Sequence, residues 1–272
     1  MSMTHVNELL NQVTQGNPDS IYQISPDWGQ GRATFGGLLG GMIYLAMRRE
    51  MQDERPLYSF MVSFVGPVTT DEPFTIDVTI LRKGRSAVQV EAKIWQNNQV
   101  ACAALACFGT ARPSNVLIQS IAAPQASLPE TLPALPYIAN AAPAFTQHID
   151  FRWAFGGLPF TGTQSREMGG WMKLRDLNAS DEFTTAHLIT LIDAWPPAVL
   201  PLISKPAPAS SVTWNIAFMH PMPDLTNDWW LYRAEIDQAA QGYGQTHAHI
   251  WNQDGVLVAT SSQTVAVFDG VE

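Results

Sequence analysis

The stretch DEFTTAHLITLIDAWPPAVLPLI, residues 181–203, decides how the chain is read. Up to about Trp195 it predicts a helix. Ser180 or Asp181 is placed to cap its start, because a short side-chain oxygen accepts one of the free first-turn N–H groups. Pro196-Pro197 end it, since proline lacks an N–H and pushes the residue before it out of helical geometry. Between those ends Phe183, Ala186, Leu188, Ile189, Leu191 and Ile192 cover most of the circumference. A helix apolar nearly all round is buried rather than lying on a surface. One carboxylate, Asp193, sits near its end, and a buried carboxylate is costly unless it is hydrogen-bonded or has a chemical task. The rest of the chain reads as the structure that buries this helix and surrounds that aspartate.

Upstream, residues 1–20 read as a polar lead-in and 21–28 as a short edge strand. GRATFGGLLGGMIYLAMRREM then predicts a second helix over about 34–51. Gly36, Gly37, Gly40 and Gly41 fall on one face of it. Each costs roughly 1 kcal/mol of helix stability, so close approach to a sheet, another helix or a ligand is expected, helix-on-sheet packing first. Four strands follow, over 57–65, 74–81, 87–96 and 100–108. In the second of these Phe74, Ile76, Val78 and Ile80 alternate with Thr75, Asp77 and Thr79. Residues 111–147 turn to proline and alanine and read as a linker. Strands over 149–153 and 166–174 precede the Asp193 helix. Strands over 211–219, 229–236, 245–251 and 256–268 follow it.

The order of a helix followed by an antiparallel meander therefore occurs twice. Two local matches support a duplication. Lys93-Ile94-Trp95-Gln96-Asn97-Asn98 matches His249-Ile250-Trp251-Asn252-Gln253-Asp254 at a shift of 156, and Phe64-Val65-Gly66-Pro67 matches Phe218-Met219-His220-Pro221 at 154. Two sheets, each wrapping one helix, would hide two exposed edges by joining side by side.

Composition bounds the function. With 272 residues, one large domain or two small ones are possible. Only 14% of residues are charged, which implies extensive burial, including a homodimer or larger homo-oligomer interface. A net charge of −9 argues against nucleic-acid and anionic-membrane partners, although a local basic cluster can still hold one anionic ligand. Cys102 and Cys107, five apart on one apolar strand, point to opposite faces and read as free thiols. No leader or membrane-length apolar run is visible, so a cytoplasmic location is expected. His247 and His249 share a strand face without a third ligand at metal-binding spacing, so no metal is expected. Gly-x-Ser-x-Gly and Gly-x-x-x-x-Gly-Lys are both missing, which argues against an α/β-hydrolase elbow and a phosphate loop.

Taken together, FGGLLGG, LYSFMVSFVGP and ILRKGRS in the first half resemble a known family. So do FRW, WMKLRD, the Asp193 helix, FMHP and NQDGVLVATSSQ in the second. The chain resembles an acyl-CoA thioesterase of the type II, double hot-dog group. The resemblance implies an α+β fold in which two antiparallel sheets each wrap a long central helix and join into one continuous sheet. The expected units are an N-terminal hot-dog over 1–112, a linker over 113–147 and a C-terminal hot-dog over 148–272 that carries the chemistry. It implies acyl-CoA as substrate, water as second substrate, no cofactor, and a water-activating trio at Asp193, Ser211 and Gln263. The family often has an Asp-His or Asp-Leu pair two positions after the hydroxyl residue. Here the run is Ser211-Val212-Thr213-Trp214, and Thr213, on the same strand face as Ser211, is an alternative hydroxyl.

The residues suit the reaction. Thioester hydrolysis needs a held water, a base for its proton and donors for the oxyanion. Asp193 is the candidate base, held ionised by hydrogen bonds from Ser211 and Gln263. Direct attack by the carboxylate through an anhydride stays open. At the 156 shift Gln263 corresponds to Cys107, and the first helix has glycines where the second has Asp193, so one half carries chemistry and the other supports it. The Arg82–Arg85 turn reads as solvated ahead of a coenzyme A phosphate contact. Trp153, Trp171, Trp195 and Trp214 are large enough to narrow an acyl channel. The alternatives are an acyl-CoA-binding hot-dog protein without turnover and a hydratase using His187, which lies on a different helix face from Asp193.

Overall fold

Two strands from the two halves of the chain meet at the centre of the molecule. In the computed structural model, which describes residues 3–175, 177 and 181–270, strand β4 (Leu57–Phe64) pairs antiparallel with β10 (Ala209–Phe218). Met61 pairs with Asn215, 154 positions on. The sequence repeat at that same shift is thus a local two-fold axis through this pair. Outward from it the next three strands of each half correspond, and the second half carries one strand more. On one side run β7 (Gln99–Gly109), β6 (Ala87–Gln96), β5 (Phe74–Lys83) and the two-residue β1 (Ile21–Tyr22). On the other run β13 (Leu257–Val267), β12 (Tyr243–Trp251), β11 (Trp230–Ala240), β9 (Glu167–Leu174) and β8 (Ile149–Gly156). This single eleven-stranded antiparallel sheet is the joined double hot-dog sheet that the resemblance implied. A small ribbon, β2 (Gly29–Gln30) with β3 (Ala33–Thr34), lies apart from it.

The ladder corrects one correspondence. Trp214 pairs with Gln263 and the equivalent Phe60 pairs with Ala106, so the counterpart of Gln263 is Ala106, not Cys107. Five residues separate the paired Trp251 and Leu257 where four separate the equivalent pair Trp95 and Val100, which moves the shift from 156 to 157. Both central strands also carry a bulge at matching positions, Tyr58 in β4 and Val212 in β10.

Helices α2 (Gly36–Met51) and α3 (Thr185–Ile192) pack on each other and against the sheet. Helix α3 is shorter than the sequence pattern predicts. It begins at Thr185 because Thr184 and His187 form a reciprocal capping box. Asp181 is not the cap, and Ser180 lies outside the described residues. It ends at Ile192, where the Ala194 N–H turns back to the Leu191 carbonyl at 2.9 Å. Residues 1–20 are not a plain lead-in: they include α1 (Val6–Gln15), whose Val6, Leu9, Leu10 and Val13 are buried. That spacing of three, four and seven is a helical stripe. The proposed edge strand over 21–28 stops at Tyr22, and Pro26–Trp28 forms a 3-10 turn instead.

The glycines of α2 pack chiefly on α3 rather than on the sheet. A Cβ on Gly37 would stand 2.4 Å from the Thr190 carbonyl oxygen, and one on Gly41 would stand 2.9 Å from that of Ala186. Gly40 faces Ile189 and the Trp214 indole of β10. The chain between the halves is a strap across the outer face of the second half. Trp251 Nε1 donates to the Ile121 carbonyl (3.0 Å) and Trp171 Nε1 to that of Ser127 (2.9 Å). Beneath it Trp171, Leu231, Trp251 and Leu257 form a separate apolar cluster. Cys102 and Cys107 are free thiols, the first fully buried.

The helix contact makes a test. In an isolated helix Gly41→Ala would add about 1 kcal/mol of stability. Here the new methyl meets backbone oxygen, so thermal unfolding should show Tm lowered by several degrees. An unchanged or raised Tm would mean that the two helices are not in close contact at Gly41.

Candidate active site

Asp193 stands where three elements converge. It is the C-terminal cap of α3, it faces the first turn of α2, and the inner face of β13 reaches it through Gln263. Gln263 Nε2–H donates to Asp193 Oδ1 at 2.6 Å, and the backbone N–H of Gly37 donates to the same carboxylate. The positive end of the α2 dipole therefore points at this negative group. Only glycine fits beside it: a Cβ on Gly36 would lie 2.8 Å from Asp193 Oδ2 and 2.9 Å from the Phe64 ring.

These two hydrogen bonds favour the ionised form. Desolvation opposes them and wins, pushing the Asp193 carboxyl up to about 7. A carboxyl poised near neutrality can take a proton and return it, as a general base requires.

The structure brings together three of the four site residues expected from sequence. Ser211 Oγ lies 3.5 Å from Gln263 Oε1, at the far limit of a hydrogen bond. Gln263 thus has its amide nitrogen on the carboxylate and its oxygen toward the hydroxyl. Thr213 does not join them. The bulge at Val212 pairs Ser211 with Val265 but Thr213 with Thr264, so the two hydroxyls lie on opposite faces of β10. The expectation of a shared face assumed unbroken alternation.

Aromatic side chains gather beside Asp193. Trp195 meets Phe151 at 5.4 Å and Trp153 at 4.8 Å, both edge-on, and stacks on Tyr232 at 5.8 Å. Trp171 is elsewhere, under the strap, and Trp214 is held between Gly40 and the Ser261 hydroxyl. Burial, with the Asp193 charge added, raises the Tyr232 phenol well above its ordinary value. Sequence reading missed Tyr232 and the α2 first turn. The signal for the tyrosine was its place in the inward series Trp230, Tyr232, Ala234, Ile236.

Other candidates resolve into structural roles. His187 Nδ1 accepts the Thr184 backbone N–H at 3.0 Å, so Nε2 carries the proton and donates to Asn7 Oδ1 at 2.8 Å. Burial lowers its pKa to about 4, and this neutral ring ties α1 to α3 rather than facing Asp193. His247 pairs with Asp237 and His249 stacks on Trp251. Among the described residues no cluster of His, Cys, Asp and Glu fits a metal ion, and no helix is long and apolar enough to cross a membrane. The Arg82, Lys83 and Arg85 side chains are exposed.

Comparison with known proteins agrees with this architecture. The chain is 26% identical over 261 residues to Acyl-CoA thioesterase 2 of Haemophilus influenzae, covering 85% of this chain and 86% of that one. Two solved structures share the fold. A hot dog fold protein of unknown function from Alicyclobacillus acidocaldarius aligns with TM-score 0.83 and 23% identity, over 99% of this chain and 100% of that one. Acyl-CoA thioesterase II TesB2 from Mycobacterium marinum aligns with TM-score 0.75 and 20% identity, over 95% and 98%. Residues 24–109 match the model of the acyl-CoA thioesterase N-terminal domain, and residues 129–267 match that of the C-terminal domain. With both domains matched in order over most of its length, the chain belongs to the acyl-CoA thioesterase family.

Proposed function

We propose that this thioesterase hydrolyses acyl-CoA to free acid and coenzyme A with a water activated by Asp193 and positioned by Gln263 and Ser211. The observation that carries the reading is the desolvated Asp193 carboxylate, shared between the Gln263 amide and the first turn of α2. Ionised Asp193 takes a proton as the water oxygen bonds to the thioester carbonyl carbon. N–H groups at the start of α2, which face Asp193, are the proposed donors for the oxyanion that develops. When the tetrahedral intermediate collapses, the C–S bond breaks, and the departing thiolate takes its proton from Asp193. No further group is consumed. In this reading the second hot-dog, residues 148–272, supplies the reacting side chains, and the first supplies the helix end they face. The low charge content of the chain favours a homodimer or larger homo-oligomer, and a cytoplasmic location is part of the same proposal.

Asp193→Asn keeps the shape and removes the base. Steady-state release of coenzyme A from an acyl-CoA panel should fall by about 10²–10⁴ in kcat; a variant with full turnover would end the base assignment. In the wild type kcat/KM should rise with pH and level off above about 7, as Asp193 loses its proton. Gln263→Ala removes a bond to the ionised form, so its rising limb should move to higher pH. An unmoved limb would show that Gln263 does not act on the carboxylate.

The same shift fixes a stability effect. The folded state holds the Asp193 proton more tightly than the unfolded chain, whose carboxyl titrates near 4. The stabilisation from neutral Asp193 is complete below about pH 4 and is lost as pH rises through about 7. Denaturant unfolding at pH 8 should therefore find Asp193→Asn more stable than the wild type, by up to about 4 kcal/mol, with the gap closing toward pH 4. Equal stability at both pH values would contradict it.

A further inference from the structure

The local two-fold axis gives the Asp193 site a counterpart. Gly36 faces Asp193, and Thr185 hydrogen-bonds Tyr44 through its side chain; a shift of 149 exchanges the two contacts, mapping Gly36 to Thr185 and Tyr44 to Asp193, so the counterpart of Asp193 is Tyr44 and not one of the α2 glycines. On the strands Leu57 replaces Ser211 and Ala106 replaces Gln263. The base, the hydroxyl and the amide are therefore all missing from this second position.

The space has stayed open. A cavity of about 380 Å³ lies there, lined by Tyr44, Arg48, Leu57, Thr185, His220 and Met222. That volume is within the range of about 300–1,000 Å³ typical of small-molecule sites. The lining is divided by chemistry. Leu57 and Met222 give apolar wall, and a methionine adapts its shape to flexible chains. Arg48 gives a guanidinium with only modest exposure, donating to the Arg55 carbonyl (2.8 Å) and to the fully exposed Glu54 carboxylate (3.2 Å). An ion pair with an exposed carboxylate is weak and exchangeable. His220 is fixed by its Nε2–H on the Leu57 carbonyl oxygen at 2.8 Å and by the Tyr58 ring at 4.2 Å.

We infer that this vacated counterpart is a second, non-catalytic binding site for an amphipathic carboxylate. The carboxylate would replace Glu54 on the Arg48 fork, whose planar donors match it. A medium acyl chain would lie against Leu57 and Met222. The free acid released by hydrolysis has this chemistry, so the site is suited to sensing product.

The test is calorimetric titration of the full chain with decanoate, decanol and coenzyme A. Wild type should bind decanoate, and Arg48→Met should bind it at least about tenfold more weakly. Thioesterase turnover and KM of Arg48→Met should stay within about twofold of wild type. Met222→Trp, which fills the cavity without touching the charge, should also weaken decanoate. Asp193→Asn should bind as wild type does, so failure of the hydrolytic mechanism would not be mistaken for failure here. The inference is overturned if Arg48→Met and Met222→Trp both bind decanoate normally. It is equally overturned if decanol binds wild type as well as decanoate, if coenzyme A displaces decanoate from it, or if Arg48→Met raises KM for acyl-CoA.

Discussion

The close crossing of α2 and α3 is the constraint on which the rest depends. Any side chain at Gly37 or Gly41 would drive the helices apart, because the atoms opposite are backbone oxygens of α3. Their contact sets the α2 N-terminus against the α3 C-terminus. A helix end leaves its first N–H groups without intrahelical partners, and here one of them, from Gly37, finds the Asp193 carboxylate. The glycines therefore place the candidate catalytic group as well as pack the core.

That carboxylate sits in a balance of opposing effects. Two donors and a helix dipole favour its charge, while the surrounding apolar side chains remove the water that would solvate it. Had the donors dominated, Asp193 would be a weak base below the ordinary carboxylate range. Had nothing opposed burial, it would stay protonated through neutral pH. The short bond from Gln263 holds it between these limits, and the stacked pair of Trp195 and Tyr232 helps to keep the neighbourhood dry.

The architecture was legible because its signals are periodic. Alternation located the strands, and the residue repeat implied the two-fold arrangement that the Met61–Asn215 pair displays. Asp193 and Gln263 were legible through resemblance together with the oddity of a carboxylate on an apolar helix. What escaped was set by local irregularity. A one-residue bulge at Val212 separated Thr213 from Ser211, and one extra residue between Trp251 and Leu257 moved the counterpart of Gln263 to Ala106. Neither leaves a mark in composition or period. The short α1 was written in Val6, Leu9, Leu10 and Val13, but its polar residues masked the stripe. The capping role of Thr184 depends on its reciprocal bonds with His187, a tertiary detail that no spacing rule distinguishes from a cap one or two positions earlier.

Duplication explains why the two ends of the helix pair differ so much. One end has the candidate base and its amide partner, while the other has Tyr44, Leu57 and Ala106 in their places and an open cavity lined by Tyr44 and Leu57. The proposed chemistry rests on the first end alone, where burial against two donors holds a carboxyl near neutrality. Carbon-13 NMR titration of the aspartate carboxyls, with Asp193 assigned by its absence from Asp193→Asn, reads this directly. Asp193 should titrate with a midpoint near 7. A midpoint near 4, with the ordinary surface carboxylates, would contradict it.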